Sequence, residues 1–232
     1  MMSPLVDSVL LHLGPVPLAR SILTSFGLTA ILGVLAYFVQ RRLTVQPGRL
    51  QALVELLVTT LQDQIGDVIP EAPQRYVPFL GTLFIYLVCA NSLAAVPGLT
   101  PPTDRIETTS ALALLVFASV YVYGIRAHGF LGYLKHFFSP SPLLFPIHVL
   151  SEITRTFALA MRLLGNMMSH GVVLGVVVSV AGLLVPVPLI AFGLFTGAVQ
   201  AYIFTVLSTV YIAAAVAEPT ANAPRTGKEG RA

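Results

Sequence analysis

Five apolar runs, at about 22–40, 77–97, 108–124, 143–180 and 183–217, constrain this chain more than any other feature. Each is long enough, at 1.5 Å per helical residue, to cross a hydrocarbon layer roughly 30 Å thick. Backbone in that layer must satisfy its own hydrogen bonds, and continuous apolar runs of this length do so as helices. With 56% hydrophobic and only 10% charged residues, the chain lies outside the range of a water-soluble domain. The expected fold is therefore an all-α integral membrane protein with five membrane-embedded helices. The first run follows a 20-residue lead containing Asp7 and His12, without a basic n-region, so it reads as a retained helix rather than a cleaved signal.

Charge placement sets the orientation. Arg41, Arg42, Arg49, Arg75, Arg126, Lys135, Arg225, Lys228 and Arg231 fall on one side of the spans, against Arg20 and Arg105 on the other. Nine against two places the N-terminus outside and the C-terminus in the cytoplasm. Between the first two spans, Leu50, Leu53, Leu57, Leu61 and Ile65 recur at helical spacing among Glu55, Asp63 and Asp67, which predicts an amphipathic surface helix over about 49–68. Residues 1–218 read as a single membrane domain and 219–232, polar with Pro219 and Pro224, as a flexible tail. Cys89 is the only cysteine, which excludes an internal disulfide and a cysteine metal site. No cofactor, metal or nucleic-acid partner is expected.

The last two runs are peculiar in length. As continuous helices each exceeds roughly 50 Å, far more than an upright span requires. The break at "GLLVPVP" (182–188) makes them a hairpin, expected to lie steeply inclined to the membrane. On a helix of 100° per residue, His148, Arg155, Arg162, Asn166 and Ser169 share an arc of about 60°. Glu152 lies off this stripe but three residues before Arg155, at ion-pair spacing. Arg162 has no acid at i±3 or i±4, so its counter-charge must come from another helix or another protein.

An unpaired charge inside a bilayer costs several kcal/mol and marks ion or substrate pathways. A guanidinium stays protonated, so Arg162 serves as a fixed charge against a group that titrates rather than as a carrier. The following helix offers a matching face in Thr196, Gln200, Ser208 and Tyr211. With the turn near 184, Arg162 and Gln200 can approach at similar depth. His170 can titrate in a pathway or bond within the bundle. Asp104 and Glu107, where the third span begins, are candidates for an entry path or simply wetted positions. A secondary transporter with an anion-binding arginine is the competing class, but no inverted repeat is found. A membrane enzyme would need a nucleophile, base or metal cluster that the five scattered histidines do not supply.

"MRLLGNM" (161–167) followed by "VQAYIFTVLSTVYI" (199–212) resembles the signature pair of subunit a of F-type rotary ATP synthases. "HLGPVPLARSILTSF" and "PPTDRIETTSALAL" support the match in order and spacing. The resemblance implies a non-catalytic, ion-translocating stator subunit in a bacterial cell membrane, beside a ring of c subunits and with peripheral-stalk b subunits as partners. Arg162 matches the family's essential arginine, facing ring carboxylates that load and unload through two half-channels. Asn166 and Gln200 match positions close to that arginine, and Asp104 matches an acidic site of the external half-channel, with Glu107 nearby. Ser169, His148, Glu152 and Arg155 are the remaining pathway candidates. The chain departs from the pattern in three places. His148 stands where the family often has an acid, Gly171 where it commonly has Glu or His, and Gly193 where it often has an acid or histidine. An external relay rerouted through His170, or an ion other than the proton such as sodium, is expected to follow.

Overall fold

The computed structural model describes residues 9–13, 16–41, 48–95, 101–138, 145–181 and 186–217. Two short strands, β1 (Val9–Leu13) and β2 (Val16–Ala19), pair antiparallel ahead of the helices. The apolar pattern did not anticipate them. Six helices follow: α1 (Arg20–Arg41), α2 (Arg49–Val68), α3 (Val77–Ser92), α4 (Ile106–Phe138), α5 (Phe145–Ala181) and α6 (Pro186–Val216). Five of them, all but α2, are long and apolar enough to cross a membrane. The body is an all-α integral membrane protein, as its hydropathy requires.

α2 coincides with the expected amphipathic helix, yet its apolar face is used unevenly. Leu61, Ile65 and Ile69 are buried, one turn apart, whereas Leu53, Val54 and Leu56 stay exposed. Only the C-terminal half of α2 is seated on the bundle. α4 runs well past the expected span of 108–124 and is broken at Gly129, whose φ of 73° and ψ of 162° only glycine adopts readily.

The core is built by α3, α4, α5 and α6. Near α2, Ile65, Ile69, Tyr76, Leu80, Val120, Ile212 and Ala215 form one buried cluster. At mid-bundle, Leu83, Leu87, Ala113, Val116, Leu159, Leu163, Ala201 and Phe204 form another. α3 packs most extensively on α6, and α4 on α5. α1 contributes only Leu28 to the interior among its described side chains, so nearly its whole apolar surface faces outward.

α5 and α6 pack side by side as the expected hairpin. Its turn, 182–185, lies outside the described residues, as does the 219–232 tail. The apolar part of α5, Val149–Val180, is 32 residues, or about 48 Å. A straight helix of that length fits a ~30 Å hydrocarbon layer only when inclined by roughly 50°.

Candidate functional site

The rotation of α5 is set by a ridge of apolar side chains. Leu159, Leu163 and Met167, four residues apart, are 2%, 0% and 3% exposed against the bundle. Arg162 precedes Leu163 by one residue, 100° around the helix, and is turned outward. It makes no hydrogen bond or ion pair among the described residues. Ala158, Gly165 and Ser169, also exposed, surround it with small side chains, flanked by the exposed Phe157, Met161, Val172 and Val176. The result is an outward apolar face with one uncompensated cation in the middle.

α6 presents its polar residues to the interior. Gln200 is 6% exposed, and its Nε2 has no hydrogen-bond partner among the described residues. Ser208 is fully buried and donates to the Phe204 carbonyl at 2.8 Å; Thr196 donates to the Gly193 carbonyl at 3.1 Å. Two close approaches give the α5–α6 register. His170 lies against Gly193, and Met167 Cε is 3.4 Å from where a Cβ on Gly197 would stand. Stepping back along α5 and forward along α6 from the Met167–Gly197 approach puts Arg162 level with Tyr202, two residues from Gln200. The two side chains share a depth but point apart, Arg162 outward and Gln200 inward. Asn166 is half-buried between these directions.

Toward the α2 end, Glu152 and Arg155 pair as their spacing foretold, with Nη1 to Oε1 at 3.6 Å. The Arg155 guanidinium also lies over the Tyr211 ring, 5.5 Å from its centroid. Of the two arginines on the α5 stripe, Arg155 is thus compensated within the chain and Arg162 is not. The backbone of His148 is in the first turns of α5; its side chain lies outside the described residues.

At the opposite end, a short 3-10 turn, Pro102–Asp104, tucks into the bundle against α3, α4 and α5. It is held by a chain of two buried hydrogen bonds. Thr103 Oγ1 donates to Asn91 Oδ1 at 2.8 Å, and Asn91 Nδ2 donates to the Gly197 carbonyl at 2.9 Å. Asn91 is 2% exposed and Thr103 0%. This places Asp104 Oδ2 4.0 Å from where a Cβ on Gly171 would lie. Burial pushes the Asp104 carboxyl above the usual carboxylate range, with the Arg105 charge opposing. Glu107, in the first turn of α4, is exposed. Asn91, Thr103 and Gly197 were not foreseen as site residues; an amide near the end of an otherwise apolar span was the available signal. Among the described residues, no three His, Cys, Asp or Glu side chains come together as a metal site.

These features define a multi-pass helical membrane protein with an unpaired arginine on its outer face and buried polar groups behind it. The chain matches the family model described as ATP synthase A chain over residues 22–213. It is 49% identical to ATP synthase subunit a 2 of Bradyrhizobium sp. (strain BTAi1) over 92% of this chain and 96% of that protein. It is 43% identical to ATP synthase subunit a 1 of Hahella chejuensis over 91% and 90% of the two chains, and 41% identical to ATP synthase subunit a of Albidiferax ferrireducens over 87% and 88%. The chain belongs to the ATP synthase subunit a family: a non-catalytic, ion-translocating subunit of a bacterial membrane.

Proposed function

We propose that this subunit is the stator against which a ring of c subunits turns, and that Arg162 is the fixed charge each ring carboxylate must pass. The observation that carries this reading is the outward, uncompensated Arg162 among small side chains on the apolar face of α5. Its unpaired charge costs several kcal/mol in lipid, and a passing carboxylate on the partner supplies the missing counter-charge. Ala158, Gly165 and Ser169 let a partner helix approach closely. A carboxyl that carries its ion is neutral and can face lipid; it must ionise to meet the guanidinium. Arg162, unable to titrate, thereby separates two half-channels that would otherwise short-circuit.

In this reading Asn166 and Gln200 border the arginine and orient it or the ion beside it. Asp104, Glu107, His170 and Ser169 line the external half-channel. His148, Glu152 and Arg155 line the cytoplasmic one. The N-terminus is outside and the tail cytoplasmic, following the arginine bias of the loops. The α5–α6 hairpin lies steeply inclined, wrapping the ring. Residues 1–218 act as one membrane domain, with peripheral-stalk b subunits and lipid covering the outward faces of α1 and α2. The translocated ion is a proton, with sodium the alternative.

Cysteine pairing tests the arrangement. Ser169→Cys, on the Arg162 face, is expected to cross-link on oxidation to a cysteine placed one helical turn from the ring carboxylate. Ala201→Cys, in the buried core, is expected not to. Cross-linking from Ala201 but not from Ser169 overturns the proposed interface.

A further inference from the structure

We infer that Glu152 and Tyr211 tether Arg155, the second cation of the α5 stripe, away from the path of the c-ring carboxylates, so that these meet one free fixed charge, Arg162. The inference rests on the stator reading above and gives the Glu152, Arg155 and Tyr211 cluster a positioning role within it. Arg155 and Arg162 are seven residues apart on α5. Seven residues bring a helix back to within about 20° of the same face, about 10 Å further along its axis. At an inclination of roughly 50°, that step divides into about 8 Å across the membrane plane and about 7 Å in depth. An arginine head group on its long stem reaches well away from its own backbone. Untethered, Arg155 would therefore stand beside the track a carboxylate follows to and from Arg162.

The tether acts from two directions. Glu152, one turn back along α5, draws the guanidinium toward the α2 end, with Nη1 to Oε1 at 3.6 Å. Tyr211 draws it toward the α5–α6 seam, with its aromatic ring centred 5.5 Å from the guanidinium carbon. Tyr211 is a firm platform, because it packs against both buried clusters of the bundle. The Glu152 carboxylate also acts electrostatically on Tyr121 of α4, whose ring stacks edge-on against Phe117 at 4.7 Å. Three helices thus converge on one arginine, while Arg162 on the same face has neither an anion nor an aromatic ring. The Arg155 and Glu152 side chains are 43% and 23% exposed, and a pair so open to solvent adds little to stability. Its consequence is instead the position and net charge of the cation. A free guanidinium near a ring carboxyl favours the ionised form. It would delay proton uptake from the cytoplasmic side and hold the resulting carboxylate short of Arg162.

The test uses ATP-driven pumping by the complete ATP synthase in proteoliposomes, with the pH on the cytoplasmic face varied. Glu152→Gln is expected to lower the rate about fivefold at neutral pH and to shift the pH profile toward acid by about 0.7 unit. Glu152→Gln combined with Arg155→Gln is expected to recover most of the rate and the parental profile, since no second charge remains to be held. Tyr211→Leu, which keeps the acid but removes the aromatic face, is expected to give a smaller shift in the same direction. The tether is overturned if assembled Glu152→Gln keeps the parental rate and profile, or if the double variant is as slow as Glu152→Gln alone. Where Glu152→Gln fails to assemble, a parental profile in Tyr211→Leu overturns it equally. Arg162→Ala separates the two levels. Its loss of coupled transport beside parental behaviour in Glu152→Gln refutes the tether and keeps the stator reading, whereas unchanged coupling in Arg162→Ala refutes the stator reading itself.

Discussion

Replacing Asn91 by leucine removes both links that hold the Pro102–Asp104 turn and α6 together while nearly conserving volume. The 2.8 Å bond from Thr103 and the 2.9 Å bond to the Gly197 carbonyl are lost together. Hydrogen bonds between membrane helices contribute about 0.6 kcal/mol each on average and up to ~1.7. The larger effect is the Thr103 hydroxyl, which is fully buried and left without its acceptor at a cost of roughly 1–3 kcal/mol. Together these give a destabilisation of about 2–4 kcal/mol, or a fall of roughly 5–15 °C in melting temperature for a chain of this size. Melting of the purified membrane sector, followed by loss of the assembled species, measures it. Thr103→Val in the Asn91→Leu background is expected to restore stability, because it deletes the orphaned hydroxyl. The two substitutions should therefore depart from additivity by about 1 kcal/mol or more. An unchanged melting temperature in Asn91→Leu, or strict additivity with Thr103→Val, refutes the two-bond clamp.

Asp104 provides a pH-dependent check. Its carboxyl is raised by burial, so the folded state holds the proton more tightly than the unfolded one. Its relative stabilisation is full below the ordinary carboxylate value of about 4 and is lost as pH rises through the raised folded value. Asp104→Asn is accordingly expected to melt higher than the parent at neutral pH, with the gap closing on acidification; a gap that widens in acid contradicts the burial argument. Gly129→Ala forces a side chain into a positive-φ, extended conformation and is expected to cost roughly 1–3 kcal/mol in the same melting assay. Glu152→Gln removes a pair whose members are 23% and 43% exposed. Its effect on stability should stay below about 1 kcal/mol, and a larger loss would mean that Arg155 depends on Glu152 more than on Tyr211.

The spans were legible because hydropathy reports lipid exposure directly. α2 matches its expected range of 49–68, and the Glu152–Arg155 pair follows from a three-residue step along one helix. α4 was read too short for a related reason: Arg126 and His128 end the lipid-compatible stretch, but a helix continues readily into water. The outward turn of Arg162 was implicit in the absence of an acid three or four residues away on its own helix. The depth match with Gln200 followed from counting residues to the hairpin turn. What one-dimensional reasoning missed is the particular side-chain contacts that join different helices. Asn91, Thr103 and Gly197 are 12 and 106 positions apart in sequence along their two bonds. Gly193 and Gly171 read as missing side chains until the fold brought His170 and Asp104 into the space they leave. A glycine records a vacancy in sequence without saying what fills it.

Arg162 is proposed as a fixed charge that couples ion movement to rotation. ATP-driven ion pumping by the complete complex in proteoliposomes carrying Arg162→Ala tests it most directly. On that proposal, coupled pumping is abolished while the complex still assembles, because nothing then separates the two half-channels. Coupled pumping at the parental rate in the assembled Arg162→Ala complex would contradict it.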